Sequence, residues 1–133
     1  MSKAKRVRND NRSYPRVEIA RPVVLIPQSR RVLKAKTVNV SPTGIQLYCD
    51  RITAYTLHPS GRFITRENAP RVEVHFALPL GGGLAGRVIV GCRLIYLNLI
   101  PQGGVTIGMC FDEFQQGTRR NLDRFIEQSL IPA

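Results

Sequence analysis

"VEIARPVVLIPQSRRVLKAKTVNV", residues 17–40, decides the fold. Two segments rich in β-branched residues, 17–27 and 31–40, flank the short polar stretch Pro27-Gln28-Ser29-Arg30, the pattern of an antiparallel hairpin. Downstream, "GIQLYC" (44–49) alternates Ile45, Leu47 and Cys49 against Gln46 and Tyr48, and "VEVHFAL" (72–78) alternates Val72, Val74, Phe76 and Leu78 against Glu73, His75 and Ala77. Each predicts a half-buried strand. "GRVIVGCRLIYLNLI" (86–100) is long for one strand, and Gly91 in its middle predicts a bulge or bend that carries it around a barrel corner. Alternation places Tyr96 with Val88, Val90 and Leu94 on the core face, unless a bulge at Gly91 shifts the register. "GVTIGMCF" (104–111) turns Val105, Ile107, Met109 and Phe111 inward and closes the β portion. The stretch 51–70 has no sustained period, and no helix can be placed in it. After Gly117, Thr118 is a fair N-cap for "RRNLDRFIEQSL", where Leu122, Phe125, Ile126 and Leu130 recur at helical spacing, so a helix is predicted over about 118–130. The fold class is all-β with a terminal helix: about six antiparallel strands in a barrel or sandwich with one C-terminal helix packed on it.

At 133 residues the chain has the length of one domain. A hydrophobic fraction of 43% and a charged fraction of 22% describe a soluble globular protein. Its basic excess is uneven. Residues 1–36 hold 11 of the 20 Lys/Arg and only Asp10 and Glu18 among the nine acidic residues, so a positive arm precedes a nearly balanced body. That asymmetry points to an anionic partner. Residues 1–16 read as a flexible basic arm and residues 17–133 as the barrel domain. Cys49, Cys92 and Cys110 are odd in number, far apart and set in apolar stretches, which reads as buried thiols in a reducing compartment. No apolar h-region follows the basic start and no window is apolar enough for a membrane span, so a cytoplasmic protein is expected. His58 and His75 stand apart from any Cys or acid patterned for metal or triad work, Asp112-Glu113 reads as a solvated strand end, and Gly81–Gly83 lacks the lysine of a phosphate loop. Neither catalysis, nor a metal, nor a cofactor is expected.

Two short motifs carry the chemistry. In "NDNRSYPRVEI" (9–19), Arg12 and Arg16 are four apart, but Pro15 disfavours a helix, so the pair belongs to an extended segment. In "NVSPTGIQL" (39–47), Pro42 and Gly44 mark a sharp turn, Asn39 and Ser41 share a side of an extended segment, and Gly44 leaves the backbone open to close approach. Pairing about Pro27–Arg30 sets Arg16 opposite Ser41 and Glu18 opposite Asn39, which brings the motifs together. Guanidinium forks match phosphate oxygens and the O6/N7 edge of guanine, and they stack on its face. Asn39 can donate to and accept from a base edge, and Ser41 adds a hydroxyl. No part of this set can break a bond; it suits a guanine nucleotide used as a signal.

Arg12-Ser13-Tyr14-Pro15-Arg16, followed 22 residues later by Asn39-Val40-Ser41-Pro42-Thr43-Gly44, resembles the R-x-x-x-R and D/N-x-S-x-x-G motifs of PilZ domains. The strand order, the closing strand at 104–111 and the last helix are also similar to that family. The resemblance implies a six-stranded antiparallel barrel with a C-terminal helix that binds the bacterial second messenger cyclic di-GMP. Arg12 and Arg16 then match the arginines that hold phosphates and guanines, and Asn39, Ser41 and Gly44 match the platform beneath. Asn39 stands where the family more often has Asp, which keeps an acceptor but loses charge. Arg8, one four-residue step before Arg12, is a further candidate, with a plain tail charge as the alternative. The implied role is a receptor or adaptor whose arm orders on ligand binding and which signals to a downstream protein. Two alternatives stay open: an adaptor with an idle ligand site, and nucleic-acid binding through the basic arm. Specific nucleic-acid recognition is not expected, because aromatics are 7% of residues and Trp is absent.

Overall fold

In the structure, a computed structural model that describes residues 7–8 and 15–130, the hairpin is present but its first strand is broken. The elements are β1 (Val7–Arg8), β2 (Arg16–Glu18), β3 (Pro22–Pro27), β4 (Leu33–Val40), β5 (Gly44–Cys49), α1 (Arg51–Leu57), β6 (Arg71–Gly81), β7 (Leu84–Leu99), β8 (Val105–Phe114) and α2 (Arg119–Leu130). Arg30 takes φ 68° and its N–H donates to the Pro27 carbonyl at 2.8 Å, which makes the turn between β3 and β4. β3 pairs with the first half of β4 and β2 with its end, Val17 opposite Val40 and Glu18 opposite Asn39. β2 and β3 therefore lie end to end along one edge of β4, with a one-residue slip between them. Thr37 satisfies the groups exposed at that slip: its Oγ1 accepts from Arg21 N at 2.7 Å and donates to the Ile19 carbonyl.

β4, β3, β6, β7, β8 and β5 follow one another around a closed antiparallel ring, and pairing of β5 with β4 completes it. β1 adds to β2, with Arg8 opposite Arg16 in register. Closure leaves no long unpaired edge among these six strands. The inward set is the alternating one expected: Val23 and Leu25, Ile45 and Leu47, Val72 to Leu78, Val88 and Val90, and Val105, Ile107 and Met109 are all buried. Each such side chain contributes about 1.5–3 kcal/mol on removal from water. α2 covers β6 and β7 with Leu122, Phe125 and Ile126.

Several local expectations are corrected. Thr118 does not cap α2; its Oγ1 donates toward the carbonyls of Gln115 and Ile89, tying the chain before the helix to β7. Leu130 is 48% exposed and lies outside the buried stripe. Phe111 is half-buried, edge-on to Phe114 at 5.2 Å. The stretch 51–70 contains α1, capped by Asp50, whose carboxylate accepts from Thr53 N at 2.7 Å. That bond holds the Asp50 carboxyl below its ordinary pKa. Asp112 is no loose strand end. It accepts from Arg71 Nη1 at 2.7 Å and lies 4.0 Å from Arg93 Nε.

Candidate functional site

The β4–β5 hairpin ends in Ser41-Pro42-Thr43-Gly44, and Ser41 is its lock. Its N–H donates to the Gly44 carbonyl at 2.9 Å, and its Oγ accepts from Gly44 N at 3.1 Å and Thr43 N at 3.2 Å. The hydroxyl oxygen is thus already engaged by the turn. Gly44 has a packing reason to be glycine, because a Cβ there would sit 2.6 Å from the carbonyl oxygen of Met109 on β8. The openness to ligand read from the sequence coincides with this strand-to-strand approach.

Asn39 reaches the outer face through a slip in register. Thr37 lies opposite Leu47 and Asn39 opposite Gln46, so Val38 has no partner on β5. Strict alternation from buried Thr37 would have sent Asn39 inward with it. After the slip, Val40 points into the core and Asn39 meets Gln46, which stands between buried Ile45 and Leu47 on the opposite face. Asn39 Nδ2 donates to Gln46 Oε1 at 2.8 Å, and Gln46 Nε2 donates to Tyr96 Oη at 2.9 Å. Asn39 is only 1% exposed, so in the free protein its first effect is to hold Gln46 in line.

Tyr96 is not core. β7 slips against β8 between Leu94 and Tyr96, Ile95 is pushed out to 51% exposure, and Tyr96 comes to lie opposite Gly108. Gly108 in turn lies opposite Gln46. The Tyr96 ring occupies the space a side chain at Gly108 would need, which lets it cross β8 and reach Gln46. Tyr96, Gly108, Gln46, Asn39 and Glu18 thus form one row across β7, β8, β5, β4 and β2. Gln46, which links Asn39 to Tyr96, is a candidate site residue that the sequence reading missed. The available signal was Gly108, a lone glycine on the outward side of an alternating strand, which calls for a cover from a neighbour.

Arg16 is half-buried at the start of β2, where Val17 is buried and Glu18 half-buried, so Arg16 shares the outer face with the row. The pairing of Glu18 with Asn39 is as expected, and its register carries Arg16 toward the Ser41 turn. Arg12 lies outside the described residues, as does most of the arm assigned to 1–16. Of Arg8 only the strand position opposite Arg16 is described.

The remaining chemistry-bearing groups are elsewhere. Burial, with Asp50 nearby, pushes the Cys49 thiol up to about 11, and burial raises Cys92 further, so both stay protonated at neutral pH. Cys110 is half-buried. His75 contacts the carboxylate of Glu73 on the same strand. Among the described residues no three His, Cys, Asp or Glu side chains gather into a metal-holding set, and no helix is long and apolar enough to cross a membrane.

No family model matches the sequence, and no curated protein matches it. Among solved structures the chain is similar to the Bacillus subtilis inhibitor of motility MotI/DgrA, with a TM-score of 0.65 and 13% identity. The likeness covers 92% of this chain and 51% of that one, so the chain spans about half the length of that protein. At this identity it shows a shared fold: the six-stranded antiparallel barrel with a C-terminal helix.

Proposed function

We propose that the chain is a cyclic di-GMP receptor that acts by binding and passes the signal to a partner protein. The observation that carries this reading is that β2, which begins with Arg16, is set against the Asn39 end of β4, so that the last arginine of the first motif and the start of the second share one outer face. Arg16 supplies a fork for a phosphate or a guanine edge. Asn39 commits one amide N–H to Gln46, and its carbonyl oxygen is an acceptor for guanine N–H donors. Tyr96 offers an aromatic surface and a hydroxyl at the other end of the row. Because Asn39 is so little exposed, ligand entry requires the covering side chains to part, and this couples binding to a change of shape. In this reading Arg12 and Arg16 close over the ligand, and the partner recognises the combined surface. A regulatory role through a partner is in keeping with a structural neighbour that is an inhibitor of motility.

Calorimetric titration tests it. Cyclic di-GMP should bind at micromolar Kd or better, about 8 kcal/mol, while cyclic di-AMP, GMP and GTP bind far more weakly. Equal affinity for cyclic di-AMP would reduce the face to a phosphate trap. No binding would leave an adaptor with an idle site. Tight, steeply salt-dependent binding to any nucleic acid would favour the basic-arm alternative.

A further inference from the structure

Beside the Tyr96–Asn39 row, a cavity of about 280 Å³ opens between β7, β8 and the stretch after α1, lined by Ile64, Thr65, Arg66, Arg93, Ile95 and Cys110 among others. Its charged lining is one-sided: Arg66 and Arg93 line it and none of its lining residues is acidic. Arg93 Nε is buried and meets no hydrogen-bond acceptor. The nearest carboxylate oxygen, Asp112 Oδ2, is 4.0 Å from it and is engaged by Arg71 at 2.7 Å. A buried, unmatched guanidinium nitrogen is costly, and a second cation across the same space adds repulsion. An anion in the cavity would relieve both.

The cavity also has a fixed relation to the proposed ligand face. Arg93 pairs with Cys110, and Cys110 with Gly44, so these three form a second cross-strand row. Cys110 is two residues from Gly108 on β8, which puts the second row about 7 Å from the first. A cyclic dinucleotide lying on the Tyr96–Asn39 row therefore reaches Arg93 without leaving the barrel surface. The volume is below the roughly 300–1,000 Å³ of a complete small-molecule site, so it suits one phosphoryl group with an adjoining edge of sugar or base.

We infer that this cavity is an anion subsite in which Arg93 and Arg66 hold a phosphate of the ligand engaged by Arg16. The identity of the ligand rests on the function proposed above; the subsite itself rests on the cavity and its two arginines. Two titrations of the full-length chain separate them. With inorganic pyrophosphate followed by amide NMR, Thr65, Arg93, Ile95 and Cys110 should shift in a saturable way in the wild type and not in Arg93→Gln. With cyclic di-GMP followed by calorimetry, Arg93→Gln and Arg66→Gln should each lose about tenfold in affinity or more. Arg66 is exposed, so its substitution leaves the fold intact should Arg93→Gln fail to fold. Pyrophosphate shifts in a wild type that ignores cyclic di-GMP would support the subsite and remove the proposed ligand. Full cyclic di-GMP affinity in Arg66→Gln and Arg93→Gln, or a cavity indifferent to pyrophosphate, overturns the inference.

Discussion

The seam between β6 and β7 pairs residue for residue from Arg71 to Pro79, whereas the seam between β7 and β8 slips twice and that between β4 and β5 slips once. On β8, Asp112 is passed over between Glu113 and Phe111; on β7, Ile95 is passed over between Leu94 and Tyr96, so the two slips cancel. The even seam is where α2 lies, with an apolar interior of Val72, Val74, Leu78, Val88, Leu122 and Phe125. The uneven seams carry Asn39, Gln46, Tyr96 and the Arg93 cavity. A one-residue slip reverses the facing of every residue beyond it, and here it puts polar and aromatic groups on the outer surface without interrupting the core. One half of the barrel supplies stability and the other carries the proposed ligand face.

Six substitutions can break or sharpen that division. Phe125→Ala empties a fully buried site under the even seam and should cost about 3–5 kcal/mol in chemical denaturation, with cyclic di-GMP affinity unchanged under conditions where the variant is folded. A large loss of affinity would mean that the two halves are not separate. Arg16→Ala, and likewise Arg12→Ala, should weaken cyclic di-GMP binding 10- to 100-fold, about 1.5–3 kcal/mol, with little change in the denaturation midpoint. Early melting of these variants would make the arginines structural. Gly44→Ala and Gly108→Ala form a graded pair. At Gly44 the new methyl meets the Met109 backbone, which cannot swing aside, so about 1–3 kcal/mol of stability should be lost. At Gly108 it meets the Tyr96 ring, which can, so the stability loss should be smaller while the link from Gln46 to Tyr96 breaks. Equal stability losses would show that the ring is as fixed as backbone. Tyr96→Phe removes only the acceptor for Gln46 Nε2 and should cost about 0.5–1.5 kcal/mol in denaturation.

The same division explains what the sequence revealed. β6 and the first half of β7 were readable because burial there follows the period-two alternation of Val72 to Leu78 and of Val88 and Val90. The Glu18–Asn39 pairing agrees with the expectation because two departures cancel: β3 pairs with β4 one residue away from the register centred on Pro27–Arg30, and the slip at Ile19–Arg21, which nothing in the sequence announces, restores it. The slip beside Gly91 has its extra residue, Asp112, on β8 and leaves the alternation of β7 intact through Leu94; the slip that turns Tyr96 outward, at Ile95, has no glycine or proline to announce it, which is why alternation alone places Tyr96 in the core. Asn39 and Ser41 were recognised by type, yet the commitment of Ser41 to the turn depends on hydrogen bonds that a motif does not specify. α1 is seven residues long, two turns with too few buried positions to establish a period, and only its cap at Asp50 distinguished it.

Residue-resolved hydrogen exchange with and without saturating cyclic di-GMP tests the central claim most directly. Protection should rise at Val17 and Glu18, from Asn39 to Gln46, and around Tyr96 and Gly108, while Val72 to Phe76 and the buried face of α2 stay unchanged. Protection that rises only along β6 or α2, or nowhere at saturating ligand, would contradict the assignment of the ligand face to the uneven half of the barrel.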